Sequence, residues 1–160
     1  MSSRRDARER VMQALYAREL AGGKPRHHVY TLIEPEFEDD PDTLEFAQSL
    51  FETTARSERQ IDNYLETHLQ NWELDRISAI DRAVLRMATC ELLHFEDVPP
   101  KVTIDEAIEI VKRFSTLKSG DFVNGVLDAV LMELYTSGDL NKTGRGRVGL
   151  DAIAERASQT

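Results

Sequence analysis

Ser119-Gly-Asp-Phe-Val-Asn124-Gly125-Val-Leu-Asp-Ala-Val-Leu-Met-Glu-Leu-Tyr135 reads as one apolar helix with a Gly in its interior. Gly at such a place costs roughly 1 kcal/mol relative to Ala, and Asn about half of that. Keeping both suggests a need for a short or polar side chain there. Gly125 is therefore read as a close-packing residue. Asn124 is read as a buried side chain bonded to backbone groups, with a ligand contact as its alternative.

On either side of this segment, helical periodicity dominates and strand alternation is nearly absent. Ala7, Val11, Ala14 and Leu15 recur at steps of three and four, which predicts a helix over about 3–21 stopped by Gly22-Gly23. Residues 22–41 hold Gly, Pro and acidic clusters and read as a loop or a short helical turn. From Pro41 a stripe through Leu44, Ala47, Leu50, Phe51, Ile61, Leu65 and Leu69 runs to about residue 70, with a break expected near Ser57. Ile77, Ile80, Val84, Leu85, Ala88 and Leu92 form the next helix, which Pro99-Pro100 ends. Thr103 and Glu106 are spaced as a capping box opening a helix over 105–114, with Ala107, Ile108, Val111 and Phe114 inward. The expected fold is all-α, a compact bundle of about seven helices. Residues 137–160, with Gly138, Gly144, Gly146 and Gly149 among polar neighbours, read as a polar, flexible C-terminal tail, with a last turn or two at 150–157.

A length of 160 residues suits one domain, over 1–136, followed by that tail. The net charge of -9 argues against a nonspecific binder of nucleic acid, because affinity for phosphates comes from clustered Lys and Arg. The average hides a polarity, however. Residues 1–26 carry seven basic side chains (Arg4, Arg5, Arg8, Arg10, Arg18, Lys24, Arg26) against three acidic ones, whereas 34–52 carry eight acidic and no basic ones. Cys90, the one cysteine, cannot form an internal disulfide and reads as a small core residue of a protein in a reducing compartment. No apolar run approaches a membrane span and the first residues lack a signal peptide's apolar stretch, so the expected location is cytoplasmic, with no membrane contact.

Catalysis finds little support. His27, His28, His68 and His94 have no Cys or carboxylate at metal-ligand spacing, and no phosphate-cradling Gly loop or nucleophile motif is present. Asp105 and Glu106 suit a helix N-terminus, and Asp81 reads as opposing Arg82 and Arg86 on a solvated surface. The chain is not read as an enzyme, and no cofactor or metal is expected. Nucleic-acid binding fares better. Arg4, Arg5, Arg8 and Arg10 crowd the first turns of a helix, where cations oppose the helix dipole, so an anion is the natural compensation. Arg5, Arg8, Met12 and Tyr16 share one face on a helical wheel, an arrangement that suits single-stranded RNA, with phosphates on guanidiniums and bases on an aromatic ring.

Four segments together carry a family likeness. They are Arg4-Arg5-Asp-Ala-Arg8-Glu-Arg-Val-Met-Gln-Ala-Leu-Tyr16, Leu74-Asp-Arg76-Ile-Ser-Ala-Ile-Asp81-Arg82 through Leu92, Pro99 with Val102-Thr-Ile-Asp-Glu-Ala-Ile-Glu109, and Phe122-Val-Asn124-Gly125-Val-Leu-Asp128. In this order and at these separations the chain resembles the NusB transcription antitermination family over about 4–135. The resemblance implies two helical subdomains. It also implies a protein that pairs with NusE, a ribosomal protein with a second role in transcription. The pair would bind boxA-type single-stranded RNA of ribosomal RNA leaders and join an elongation complex that reads through terminators.

By that resemblance, RNA contacts are expected from Arg4, Arg5, Arg8, Arg10 and Tyr16, and from Phe114, Lys118 and Phe122. The NusE-facing side is expected at Asp75, Arg76, Asp81 and Arg82, where opposite charges would set register more than affinity. Some relatives self-associate, so a homodimer in the absence of RNA is a further expectation. Two other readings stand beside this one. One is a helical protein-interaction module without RNA binding. The other is an RNA-binding accessory of an RNA methyltransferase, which the lack of a methyl-donor-binding strand and Gly-rich loop disfavours.

Overall fold

A computed structural model describes residues 3–69 and 73–159, all in helices, turns and loops. Eight α-helices occur among them: α1 (Arg4–Ala21), α2 (Pro25–His28), α3 (Pro41–Arg56), α4 (Glu58–His68), α5 (Ala79–His94), α6 (Pro100–Phe114), α7 (Leu117–Ser137) and α8 (Leu150–Ser158). They fall into two compact units, residues 1–58 and 59–160, in line with the expected all-α fold of two subdomains. The expected helix end near residue 70 falls at residues outside the described ones, and α4 ends at His68. Among the described residues no helix is long and apolar enough to cross a membrane.

In the first unit, α1 packs on α3. Its N-terminus carries a capping box: Asp6 N–H donates to Ser3 Oγ at 3.2 Å, and Ser3 N–H donates to Asp6 Oδ2 at 2.9 Å. That satisfies orphan amide groups and puts a carboxylate at the positive end of the helix dipole, offsetting part of the arginine crowding. Ala7, Val11, Ala14, Ile33, Phe37, Leu50 and Phe51 fill the core. Each large member contributes roughly 1.5 to 3 kcal/mol through burial. The stretch between α1 and α3 is a chain of tight turns, α2 followed by a π-helical turn (Val29–Ile33) and a 3-10 turn (Glu34–Phe37). Asp40 caps α3 through Thr43 N–H, and the break expected near Ser57 separates α3 from α4.

In the second unit α5, α6 and α7 pack on one another, and α8 lies on α7. Arg86 of α5 holds Asp62 of α4 with two hydrogen bonds of 2.9 and 3.0 Å, and His68 of α4 meets Glu133 of α7 at 2.6 Å. Cys90 is buried. The expected Thr103–Glu106 capping box does not form. The helix starts earlier, at Pro100, because Pro is pre-organised for a first turn, and Thr103 lies inside the helix, donating to Glu91 Oε1 at 3.3 Å.

The segment after Ser137 departs from the flexible tail expected, although its final helix falls where the last turns were placed. Lys142 is buried and donates from Nζ to the carbonyl oxygens of Glu91 and Phe95 at 3.1 and 2.8 Å, closing the C-terminal end of α5. Thr143 N–H donates to Glu96 O at 3.0 Å, and the chain passes so close that a Cβ on Gly146 would collide with that same oxygen. Ile153 of α8 is buried and Arg156 grips Asp128 of α7. Polar composition concealed this order because backbone carbonyls, not apolar side chains, supply the Lys142 anchor.

Candidate nucleic-acid interface

The arginines at the start of α1 divide by environment. Arg8 is only 3% exposed, with its guanidinium 5.2 Å from the centre of the Phe46 ring, and Arg4 stacks over the same ring at 4.3 Å. Met12, one helical turn after Arg8, is also buried, so the face expected to carry Arg5, Arg8, Met12 and Tyr16 is half core. The wheel could not reveal this, because Phe46 comes from α3. Arg10 pairs with Glu36 at 3.1 Å. Arg5 and Tyr16, the latter 37% exposed, face solvent.

In the second unit a pocket of about 350 Å³ is lined by Arg76, Ile77, Ser78, Asp81, Thr116, Lys118, Ser119 and Phe122. It lies where two helices begin. Ser78 caps α5 by accepting from Asp81 N–H at 3.2 Å, and Thr116 caps α7 by accepting from Ser119 N–H at 3.1 Å. The positive ends of both helix dipoles therefore meet the Asp81 carboxylate. Ser119 Oγ donates to Asp81 Oδ2 at 2.8 Å, while Asp81 Oδ1 is buried with no hydrogen-bond partner. Arg76 and Lys118 are exposed and Phe122 is half-buried.

Residues expected in an RNA set and residues expected in a partner set meet in one place. Lys118 and Phe122 share one pocket with Arg76 and Asp81. Asp81 and Arg82 are not on a solvated surface: both are buried, and Arg82 donates to the backbone oxygens of Leu74 and Ile77 at 3.1 and 2.8 Å. Asp75 is exposed on the 3-10 turn Leu74–Arg76. Phe114 stands outside the pocket lining, under the Arg113 guanidinium at 5.1 Å. Thr116, Ser119 and Ser78 were missed by sequence reasoning, although Ser78-x-x-Asp81 and Thr116-x-x-Ser119 both carry a capping spacing.

Asn124 and Gly125 are exposed, and a Cβ at Gly125 would have no neighbour within 4 Å. This overturns the reading of Gly125 as a close-packing residue and of Asn124 as a buried hydrogen-bonding group. The apolar face of α7 is built by Val123, Val126, Leu127 and Val130, and the two residues fall on its other side.

Comparison with known proteins agrees with this architecture. A sequence model of the NusB family matches residues 5–132. The transcription antitermination protein NusB of Salinibacter ruber is 54% identical over 160 residues, covering 100% of both chains. A crystal structure of T. maritima NusB superposes with a TM-score of 0.77 at 38% identity, covering 82% of this chain and 92% of the other. A crystal structure of the antitermination factors NusB and NusE in complex with double-stranded RNA gives a TM-score of 0.75 at 30% identity, covering 81% and 96%.

Proposed function

The chain belongs to the NusB family, and from that premise we propose that it is a transcription antitermination factor that pairs with NusE. The pair binds boxA-type RNA and keeps RNA polymerase elongating on ribosomal RNA operons in the cytoplasm. The observation that carries this reading is identity of 54% along the whole chain to a NusB protein. The likeness to a NusB held with NusE and RNA supports both partners.

The role is that of an adaptor and requires no bond-making step. Arg5 and Tyr16 on α1 contact RNA in the first unit, with Arg4, Arg8 and Arg10 adding positive potential behind them. Lys118 and Phe122 contact RNA in the second unit, where Lys118 neutralises a phosphate and the Phe122 ring stacks on a base. Stacking of this kind contributes roughly 1 to 3 kcal/mol per base. Phe114, held beneath Arg113, shapes the edge of this surface rather than stacking on a base. Asp75 offers the exposed charge of the NusE-facing side, and Arg82 supports it from within by fixing the carbonyls of Leu74 and Ile77. A titration of labelled leader RNA with the protein, with and without NusE, tests the reading. Binding strengthened by NusE is the expected result, and no binding in either arm would overturn it.

A further inference from the structure

Asp81 poses a chemical question that the RNA-binding role does not answer. A carboxylate that is 7% exposed, accepts one hydroxyl at Oδ2 and leaves Oδ1 without any partner is costly to keep unless something supplies the missing donors. It lines a pocket of about 350 Å³ with an aromatic ring, Phe122, and two exposed cations, Arg76 and Lys118. We propose that this pocket takes a single unstacked guanine base of the bound RNA, with Asp81 accepting from its Watson–Crick edge. The proposal rests on the RNA-binding reading and adds base specificity to it.

The chemistry selects guanine among the four bases. Asp81 has Oδ1 fully available and one lone pair left on Oδ2, so it can receive two parallel donors. Guanine alone presents two adjacent donors, N1–H and N2–H, on that edge. Adenine and cytosine offer one amino donor beside a ring-nitrogen lone pair, which would face the second carboxylate oxygen. Uracil offers one N–H flanked by two carbonyl oxygens. Phe122 supplies a stacking surface, and Lys118 and Arg76 supply positive charge for guanine O6 and the flanking phosphates. Insertion of the base moves part of the lining, and the long exposed side chains of Arg76 and Lys118 can yield where backbone could not. A basic side chain of a protein partner would also donate to Asp81, but those two cations repel it and the ring would go unused.

The test is fluorescence anisotropy with nine-nucleotide oligouridylate probes carrying a central guanosine, inosine or uridine, using the full chain with and without NusE. Guanosine is expected to bind about tenfold more tightly than uridine, with inosine, which lacks the 2-amino group, in between. Asp81→Asn should bring guanosine and uridine to within about twofold of each other. Phe122→Leu should weaken all three probes and leave their ratios standing. Equal binding of the three probes by the unaltered protein overturns the guanine pocket while leaving the RNA-binding reading intact. Absence of binding for every probe in both arms overturns the two together. If Asp81→Asn abolishes NusE pairing and leaves the guanosine-to-uridine ratio unchanged, the pocket belongs to the protein partner and the proposal is wrong. Should Asp81→Asn fail to fold, the three-probe comparison on the unaltered protein still decides.

Discussion

The hydroxyl of Ser119 donates to Asp81 Oδ2 at 2.8 Å, tying the first turn of α7 to the first turn of α5 across 38 residues of sequence. The same hydroxyl sits 3.0 Å from Thr116 Oγ1 and 3.1 Å from Ser115 Oγ. Ser119→Ala removes the donor and leaves a buried carboxylate with less solvation still. The expected loss is about 1 to 3 kcal/mol, because an unsatisfied buried group bears its full desolvation penalty. Urea unfolding measures it, and an unchanged midpoint would show that the link between the helix starts is dispensable.

Arg8 and Arg5 should separate cleanly. Arg8→Ala takes away a buried side chain stacked on Phe46, so thermal stability should fall by roughly 1 to 2 kcal/mol through lost packing and lost cation–π attraction. Arg5→Ala, at an exposed position, should leave stability within about 0.5 kcal/mol. It should instead weaken leader RNA binding and reduce its salt dependence by about one ion per phosphate contact. Calorimetry together with a salt titration of RNA affinity checks both, and the reverse pattern would move the RNA face elsewhere.

Lys142 makes the protein more stable as pH rises above about 8. Burial lowers its pKa from 10.5 to about 8, against the attraction of Glu91, Asp97 and Glu96, which raise it. Between those values the unfolded chain binds more protons than the folded one, so this residue's contribution to stability rises with pH from about 8 to 10.5 and is lost as pH falls through 8. Measured against Lys142→Met, the unaltered protein should gain roughly 1 to 2 kcal/mol between pH 8 and pH 10. A difference that stays flat over this range would mean that the ammonium is well solvated.

Gly125→Ala should stabilise the protein by about 0.4 to 1 kcal/mol, since the added methyl group meets nothing within 4 Å and the unfolded chain loses freedom. Chemical denaturation reads the gain directly. A loss of stability would mean that the helix is more crowded at this point than its surface indicates.

Helix positions were legible because each helix buries one stripe, and a stripe leaves a period in the sequence. Val11, Leu50, Ile61 and Val84 were all placed inward on that ground, and all are buried. The break at Ser57 was legible for the same reason, through the interruption of a stripe. The anomaly at Asn124-Gly125 was misread, since a weak helix former marks either a tight contact or an empty one, and propensity does not distinguish them.

Helical class, family and the basic start of the chain could all be read from the residues alone, because they depend on neighbours along a helix or on composition. Which charges are available depends instead on the packing of the fold. Arg8 is withdrawn by a ring from α3, Arg82 by carbonyls preceding α5, and Lys142 by the end of α5. It also brought Arg76 and Asp81 beside Lys118 and Phe122, about forty positions away in the sequence. A charge acts through whatever lies within a few ångströms of it, and for these residues that neighbour is supplied by a distant part of the chain.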